Sequence, residues 1–244
     1  MPNVMEWLKD VAPDVVLLQE IKCETDSFPA LEFEALGYKA AAHGQKSYNG
    51  VAILSRHPII DIARDLPHPA GDVQARYIEA TIQGVRVASI YLPNGNPVDS
   101  EKFPYKLAWF QRLHNHAAEL LKREIPVVLA GDYNVIPEAM DVYDPAAWEG
   151  DALYRPESRA AWRRLVQQGY TDAFRALHPD QTHAFTFWDY QAAAWPRDAG
   201  IRIDHFLLSP EAADRLNDCT IDRAPRGREK ASDHTPVVLE LIDK

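Results

Sequence analysis

Short apolar runs that stop abruptly at an acid or an amide recur along this 244-residue chain. Val15-Val16-Leu17-Leu18 passes into Gln19-Glu20, Val127-Val128-Leu129-Ala130 into Gly131-Asp132-Tyr133-Asn134, and the 85–92 run into Pro93-Asn94. Arg202-Ile203-Asp204 opens a further run, and Ser232-Asp233-His234-Thr235-Pro236 directly precedes the last one. Continuous apolar runs of this length read as buried strands rather than as one side of an amphipathic surface. None approaches the ~20 apolar residues that a bilayer crossing needs. A chain so patterned must stack its sheets against other layers, and its strand ends are where a rigid scaffold presents chemistry.

Between these runs the period changes. Residues 4–10 read as an amphipathic helix, and 103–122 as a long one, with apolar residues at 103, 107, 110, 113, 117, 120 and 121. Gln83-Gly84, between strand-like 77–82 and 85–92, predicts a tight hairpin. Residues 38–42 and 51–54 form a second strand pair around the polar loop 43–50. The stretch 137–158 reads as loop, 159–168 as a short helix ended by Gly169, and 203–208 and 237–242 as the final strands. Neither a linker nor a repeat divides the chain. The expected fold is α/β: one domain over residues 1–244, a four-layer sandwich with two mainly antiparallel β-sheets face to face and helices outside.

Composition narrows the function. Lys and Arg number 26 against 36 Asp and Glu, a net charge of −10. That excludes a protein that coats nucleic acid by bulk charge, but not an enzyme that grips a few phosphates locally. Two cysteines, Cys23 and Cys219, make no disulfide framework and have no metal-ligand spacing. They read as reduced thiols of a cytoplasmic protein, and the first residues lack the pattern of a signal peptide. One acid at a strand end is usually a solvated cap. Several carboxylates drawn to neighbouring strand ends repel one another unless a cation or a proton intervenes. A serine-hydrolase elbow (Gly-x-Ser-x-Gly) is absent from the sequence.

Leu18-Gln19-Glu20, Gly50-Val51-Ala52, Tyr91-Leu92-Pro93-Asn94-Gly95, Gly131-Asp132-Tyr133-Asn134, Arg202-Ile203-Asp204 and Ser232-Asp233-His234-Thr235-Pro236 together resemble exodeoxyribonuclease III. That family comprises apurinic/apyrimidinic endonucleases of the exonuclease-endonuclease-phosphatase superfamily. Phe187-Trp188-Asp189-Tyr190 and the Tyr-x-Pro-Asn-Gly motif are similar to its DNA-repair branch in particular. The resemblance implies a DNase I-like sandwich and Mg2+-dependent hydrolysis (with Mn2+ as a substitute) of phosphodiesters 5′ to abasic sites. It also implies 3′-to-5′ exonuclease and 3′-phosphatase activity on duplex DNA. The implied partner is double-stranded DNA with abasic sites or blocked 3′ ends, bound by a monomer without any membrane.

The same resemblance assigns roles. Glu20 is the implied main metal ligand, with Asp132, Asn134, Asp233 and His234 completing the shell. Tyr91, Asp132, Asn134, Asp204 and His234 are the implied catalytic set: Asp132 activates water, Asp204 orients His234, and Tyr91 flanks the phosphate. Asn94, Phe187 and Trp188 are the implied substrate-binding residues, Phe187 and Trp188 lining a pocket for an extruded abasic sugar. In so acidic a chain, Lys46 and, within the run 223–230, Arg226, Arg228 and Lys230 are the local cations read as substrate-binding candidates. Lys22, Lys102 and Lys106 are further candidate phosphate contacts. Relatives open with a strand of the type Lys-Ile-x-x-Trp-Asn-x-Asn ahead of the first helix, which this sequence does not contain, so the domain reads as truncated at its N-terminus. Two alternatives stand beside this reading. One is a sister phosphoesterase acting on inositol phosphates, sphingomyelin or RNA. The other is a catalytically impaired remnant that binds abasic DNA.

Overall fold

The computed structural model describes residues 2–67 and 71–243. In chain order the elements are α1 (Pro2–Val11), β1 (Val15–Gln19), α2 (Ala30–Glu34), β2 (Lys39–His43), β3 (Val51–Ser55), β4 (Ile60–Arg64), β5 (Tyr77–Ile82) and β6 (Val85–Tyr91). They continue with α3 (Lys102–Leu121), β7 (Val127–Asp132), α4 (Pro145–Trp148), α5 (Pro156–Gln167), β8 (Thr171–Asp172), α6 (Ala173–Leu177), β9 (Asp204–Leu208), α7 (Pro210–Ala213), β10 (Leu216–Ile221) and β11 (Val237–Leu241).

A six-stranded sheet in the order β4-β5-β6-β7-β9-β8 organises the molecule. Its β5–β6 hairpin turns through Gln83 and Gly84, both with positive φ (47° and 79°), the backbone a tight two-residue turn requires. β6 and β7 run parallel, so the chain must cross over between them, and the long helix α3 does so. Gly131 lets these two strands meet: its φ is +141°, and a Cβ there would lie 2.1 Å from the Ile90 carbonyl oxygen. On one side of the sheet Trp109, Phe110 and Leu113 of α3 and Trp162 and Leu165 of α5 pack with Leu129 and Tyr133. On the other, Ile78, Ala80, Val87, Val128 and Ala130 meet Val51 and Ile53 of the second layer. That layer is covered outside by α1 and α2, where Leu8, Phe33, Tyr38 and Leu54 cluster. The four-layer sandwich is therefore as expected.

The second layer departs from expectation. It consists of two separate antiparallel pieces, β1-β3-β2 and β10-β11, not hydrogen-bonded to each other among the described residues. Three strands escaped the reading of apolar runs, the two-residue β8 among them. β4 is a sheet edge whose residues are largely exposed, and β10 carries Asn217 and Asp218 beside a bulge. The 137–158 stretch, expected as loop, contains a 3-10 turn at Ala139–Asp141, helix α4 and the start of α5. Among the described residues no helix is long and apolar enough to cross a membrane.

Candidate active site

Strand register does the first part of the assembly. Tyr91 on β6 is the partner of Asp132 on β7, and Asp132 is the partner of Asp204 on β9. Directly paired residues project to the same face, so the three side chains form a row across adjacent strands, at one end of the sheet. Glu20 closes the row from the second layer, just past β1, where its Oε1 accepts a 2.9 Å hydrogen bond from the Tyr91 hydroxyl. Glu20 holds a left-handed backbone (φ 51°), an uncommon conformation for a non-glycine residue. Arg76, which no sequence motif singled out, buttresses Tyr91: its guanidinium lies 4.8 Å from the ring centre and donates to the Tyr91 carbonyl.

His234 stands opposite. Its Nδ1 is 2.9 Å from Asp204 Oδ2, and its Nε2 is 3.9 Å from Asp132 Oδ2. Thr186 Oγ1 accepts from the Asp204 backbone N–H and so fixes the start of β9. Phe187 bridges to His234 by backbone pairing and places its ring edge-on to the imidazole, with centres 5.0 Å apart. The amides complete the cluster. Asn134 donates from Nδ2 to Asp132 Oδ2 at 3.0 Å, and its Oδ1 accepts from Asn94 Nδ2 at 3.0 Å.

Burial and neighbouring charge set the protonation of these groups. Burial pushes the Asp132 carboxyl up to about 7, the Asp204 and Glu20 charges adding to the rise and His234 opposing it. For His234 burial acts downward, yet the Asp204 charge and hydrogen bond, with Asp132 and Asp233 behind them, carry the imidazole up to about 10. It is therefore an imidazolium at neutral pH. For Glu20 burial acts upward, but the hydrogen bonds from Lys22 and Tyr91 prevail and hold the carboxyl below its usual range. The Tyr91 hydroxyl, buried and facing Glu20 and Asp132, is held well above its ordinary value and stays protonated.

A hard cation suits this donor set. The Lys22 ammonium, 2.7 Å from Glu20 Oε2, shows that this carboxylate opens toward a partly exposed cleft that accepts positive charge. Among the described residues no three His, Cys, Asp or Glu side chains converge as a closed metal cage. Mg2+ needs none, since it takes one or two carboxylates and keeps several waters. Asp204 occupies Nδ1 of His234, so only its Nε2, 3.9 Å from Asp132, faces the space where a cation or a phosphate would lie.

Several expected substrate contacts sit elsewhere. Trp188 is fully buried against Phe185, Ala194 and Trp195, with its indole N–H on Asp198. It is core, and of the expected pocket pair Phe187 alone reaches the site. Arg226 is buried under Tyr190 and Trp195 and donates to the Trp188 carbonyl. Arg228 donates to the Asn3 carbonyl and faces Glu6 and Asp10 of α1. Lys106 is buried completely. Lys46 and Lys230 remain exposed, Lys46 on the loop whose Asn49 and Gly50 carbonyls accept from Lys22 and Ile21 beside Glu20. Asp233 is partly exposed and close enough to His234 to raise its pKa.

Comparison with known proteins places this constellation. The profile of the Endonuclease/Exonuclease/phosphatase family matches residues 2–234. The chain belongs to that family. Exodeoxyribonuclease III of Haemophilus influenzae is 34% identical over 240 residues, covering 94% of this chain and 90% of its own. Among solved structures, the family includes a 3′ phosphatase, NExo, from Neisseria, bound to a product DNA hairpin. It superposes with a TM-score of 0.96 at 39% identity over 99% of this chain and 93% of that one. An AP endonuclease from Archaeoglobus fulgidus gives 0.93 at 36% identity, covering 98% of this chain and 92% of that one. The Endonuclease/Exonuclease/phosphatase assignment rests on nearly the whole described chain and agrees with the sandwich fold.

Proposed function

We propose that this chain is a Mg2+-dependent DNA repair nuclease that hydrolyses phosphodiesters 5′ to abasic sites and removes nucleotides and phosphates from 3′ ends of duplex DNA. The observation that carries it is the row Tyr91–Asp132–Asp204, with Glu20 facing it and His234, held on Asp204, across a 3.9 Å gap from Asp132. The kinship with exodeoxyribonuclease III, with a 3′ phosphatase and with an AP endonuclease supports the choice of substrate.

The chemistry follows from the residues. Asp132, poised near neutrality by burial, accepts the proton of a water whose oxygen attacks phosphorus. Asn134 holds the carboxylate, and Asn94 in turn holds Asn134 with one amide hydrogen and keeps the other for the phosphate. His234 donates from Nε2 to a non-bridging phosphate oxygen, while Asp204 on Nδ1 keeps the ring charged and aimed. The phosphorus–O3′ bond breaks, leaving a 3′-hydroxyl and a 5′-deoxyribose phosphate. Glu20, with Asp233 near the rim, would hold the cation, which when bound neutralises charge on the phosphate and on the leaving oxygen. Phe187, against His234, walls the side where a base-free sugar fits. Exposed Lys22, Lys46, Lys102 and Lys230 are cations available to the flanking phosphates.

An abasic-site duplex and a 3′-phosphate duplex, incubated with Mg2+ or with chelator, test this. Ends bearing 3′-hydroxyls formed only with metal are expected. Turnover of inositol phosphates or sphingomyelin in preference to DNA would overturn it, as would binding of abasic DNA without cleavage at saturating Mg2+.

A further inference from the structure

We propose that Lys106 is a positioning residue of the hydrolytic site: its buried amino group clamps the backbone carbonyls of Asn94 and Asn134, so that Asn134 stays seated on Asp132 while Asn94 of the neighbouring loop faces the phosphate. This rests on the phosphodiesterase reading above. Lys106 lies on α3 with no exposed surface, which sets it apart from the cations available to DNA. Nζ donates to the Asn94 carbonyl oxygen at 2.9 Å and to that of Asn134. One carbonyl follows β6 and the other follows β7; the two side-chain amides also bond each other at 3.0 Å, and Asn134 donates to the Leu92 carbonyl just after β6.

The backbone is shaped for this contact. Asn134 has a left-handed φ of 45°, which turns its carbonyl inward to α3 while its side chain faces Asp132 and the Leu92 carbonyl. Gly95, at φ +92°, leaves room for the lysine stem: a Cβ there would lie 2.6 Å from Lys106 Cδ. An ammonium is costly to bury unless it is well bonded, and burial lowers this one to about 7, against the pull of the Asp132 and Asp151 charges. The arrangement places the lysine's donors on the backbone carbonyls of the two loops, rather than on the substrate.

Lys106→Met keeps the stem and removes the donors, and Lys106→Arg keeps charge and donors in another geometry. Turnover of a 3′-phosphate duplex is measured at saturating Mg2+ and normalised to the folded fraction by circular dichroism. We expect Lys106→Met to lower kcat per folded molecule about 10²-fold, the scale of a 1 Å misplacement, with KM for DNA nearly unchanged and Lys106→Arg intermediate. Unchanged kcat in folded Lys106→Met, or a loss that appears only in KM, overturns the clamp. If the Met variant does not fold, Lys106→Gln carries the same expectation and the same refutation. Failure of all three variants to fold makes Lys106 a stability residue only and also overturns it. Absence of hydrolysis by the unsubstituted chain would instead overturn the phosphodiesterase reading.

Discussion

Nδ1 of His234 lies 2.9 Å from one oxygen of Asp204 and 3.1 Å from the other, while Nε2 across the ring faces Asp132 at 3.9 Å. The imidazole is thus held between two carboxylates that are register partners on adjacent strands. The close carboxylate orients and charges the ring. The distant one leaves a gap into which a reacting oxygen fits.

His234 and Asp204 should therefore behave as one unit. His234→Gln is expected to lower kcat roughly 10²–10³-fold, the cost of losing one donor to a developing anion. Asp204→Asn should cost nearly as much, and the double variant little more than either alone. Single-turnover rates for the three variants and the parent measure this; losses that multiply would separate the two residues.

The same pair sets a pH dependence of stability in chelator. The folded imidazole titrates near 10 against about 6.5 unfolded, so between those values the native state holds a proton that the unfolded state has released. Its contribution is complete below pH ~6.5 and is lost as pH rises toward ~10, with a slope of at most about 1.4 kcal/mol per pH unit. Lys106, whose folded pKa is lowered to about 7, slopes the other way above that pH, so the difference between parent and His234→Gln removes its slope and reports the histidine together with its coupling to Asp132. Urea melts from pH 6 to 10 should show that difference shrinking as pH rises. A constant difference would contradict it.

Glu20 and Asp132 should fail differently. Glu20→Ala is expected to raise the Mg2+ concentration for half-maximal rate, with much of the rate recovered at high metal, because mass action offsets a weakened site. Asp132→Asn removes the proton acceptor and should lose about 10²–10⁴-fold at any metal concentration. Full recovery of both variants at high Mg2+ would refute the role given to Asp132.

Neighbours in sequence, Phe187 and Trp188 should also separate. Trp188→Ala empties a fully buried position and should cost about 3–5 kcal/mol of stability. Phe187→Ala, at a partly buried position, should cost clearly less stability than Trp188→Ala and reduce discrimination between an abasic site and an intact nucleotide. Calorimetry and competition cleavage check the two halves.

Those two residues show what a sequence can and cannot disclose. Glu20, Tyr91, Asp132 and Asp204 were legible because each ends or begins an apolar run, and a strand's register carries its terminal residue to a common level. Which of two adjacent aromatics faces inward depends on the isolated bridges that Phe187 makes to Ile201 and His234, and those are long-range contacts without local periodicity. The same holds for the cations. Arg226, Arg228 and Lys106 have the composition of a DNA-binding surface, but buried aromatics, α1 and two loop carbonyls claim them. β4 and β10 were missed because an exposed edge needs no apolar pattern.

The division of the second layer yields the last prediction. β1 packs over β6 and β7, and β11 packs over β9. Since β7 lies between β6 and β9 in the large sheet, the second edges of β1 and β11, unpaired among the described residues, border a strip of that sheet. Val15 and Leu17 on one side and Val237, Leu239 and Leu241 on the other are only partly buried there. Asn3 is tied to the carbonyls of Glu229 and Lys230, so a segment joined ahead of Pro2 would start beside this strip. A strand laid into it would give both edges hydrogen-bond partners and cover those side chains. Each such bond contributes about 1 kcal/mol net. We expect an N-terminal extension of roughly a dozen residues, long enough for one strand and its turn, alternating apolar and polar and ending in Trp-Asn, to raise the melting temperature by at least about 5 °C. The same extension should tighten the Mg2+ dependence of cleavage, since Glu20 follows β1 directly, and reduce self-association seen by light scattering. Equal melting, metal dependence and scattering for the two chains would show that the strip accepts no strand.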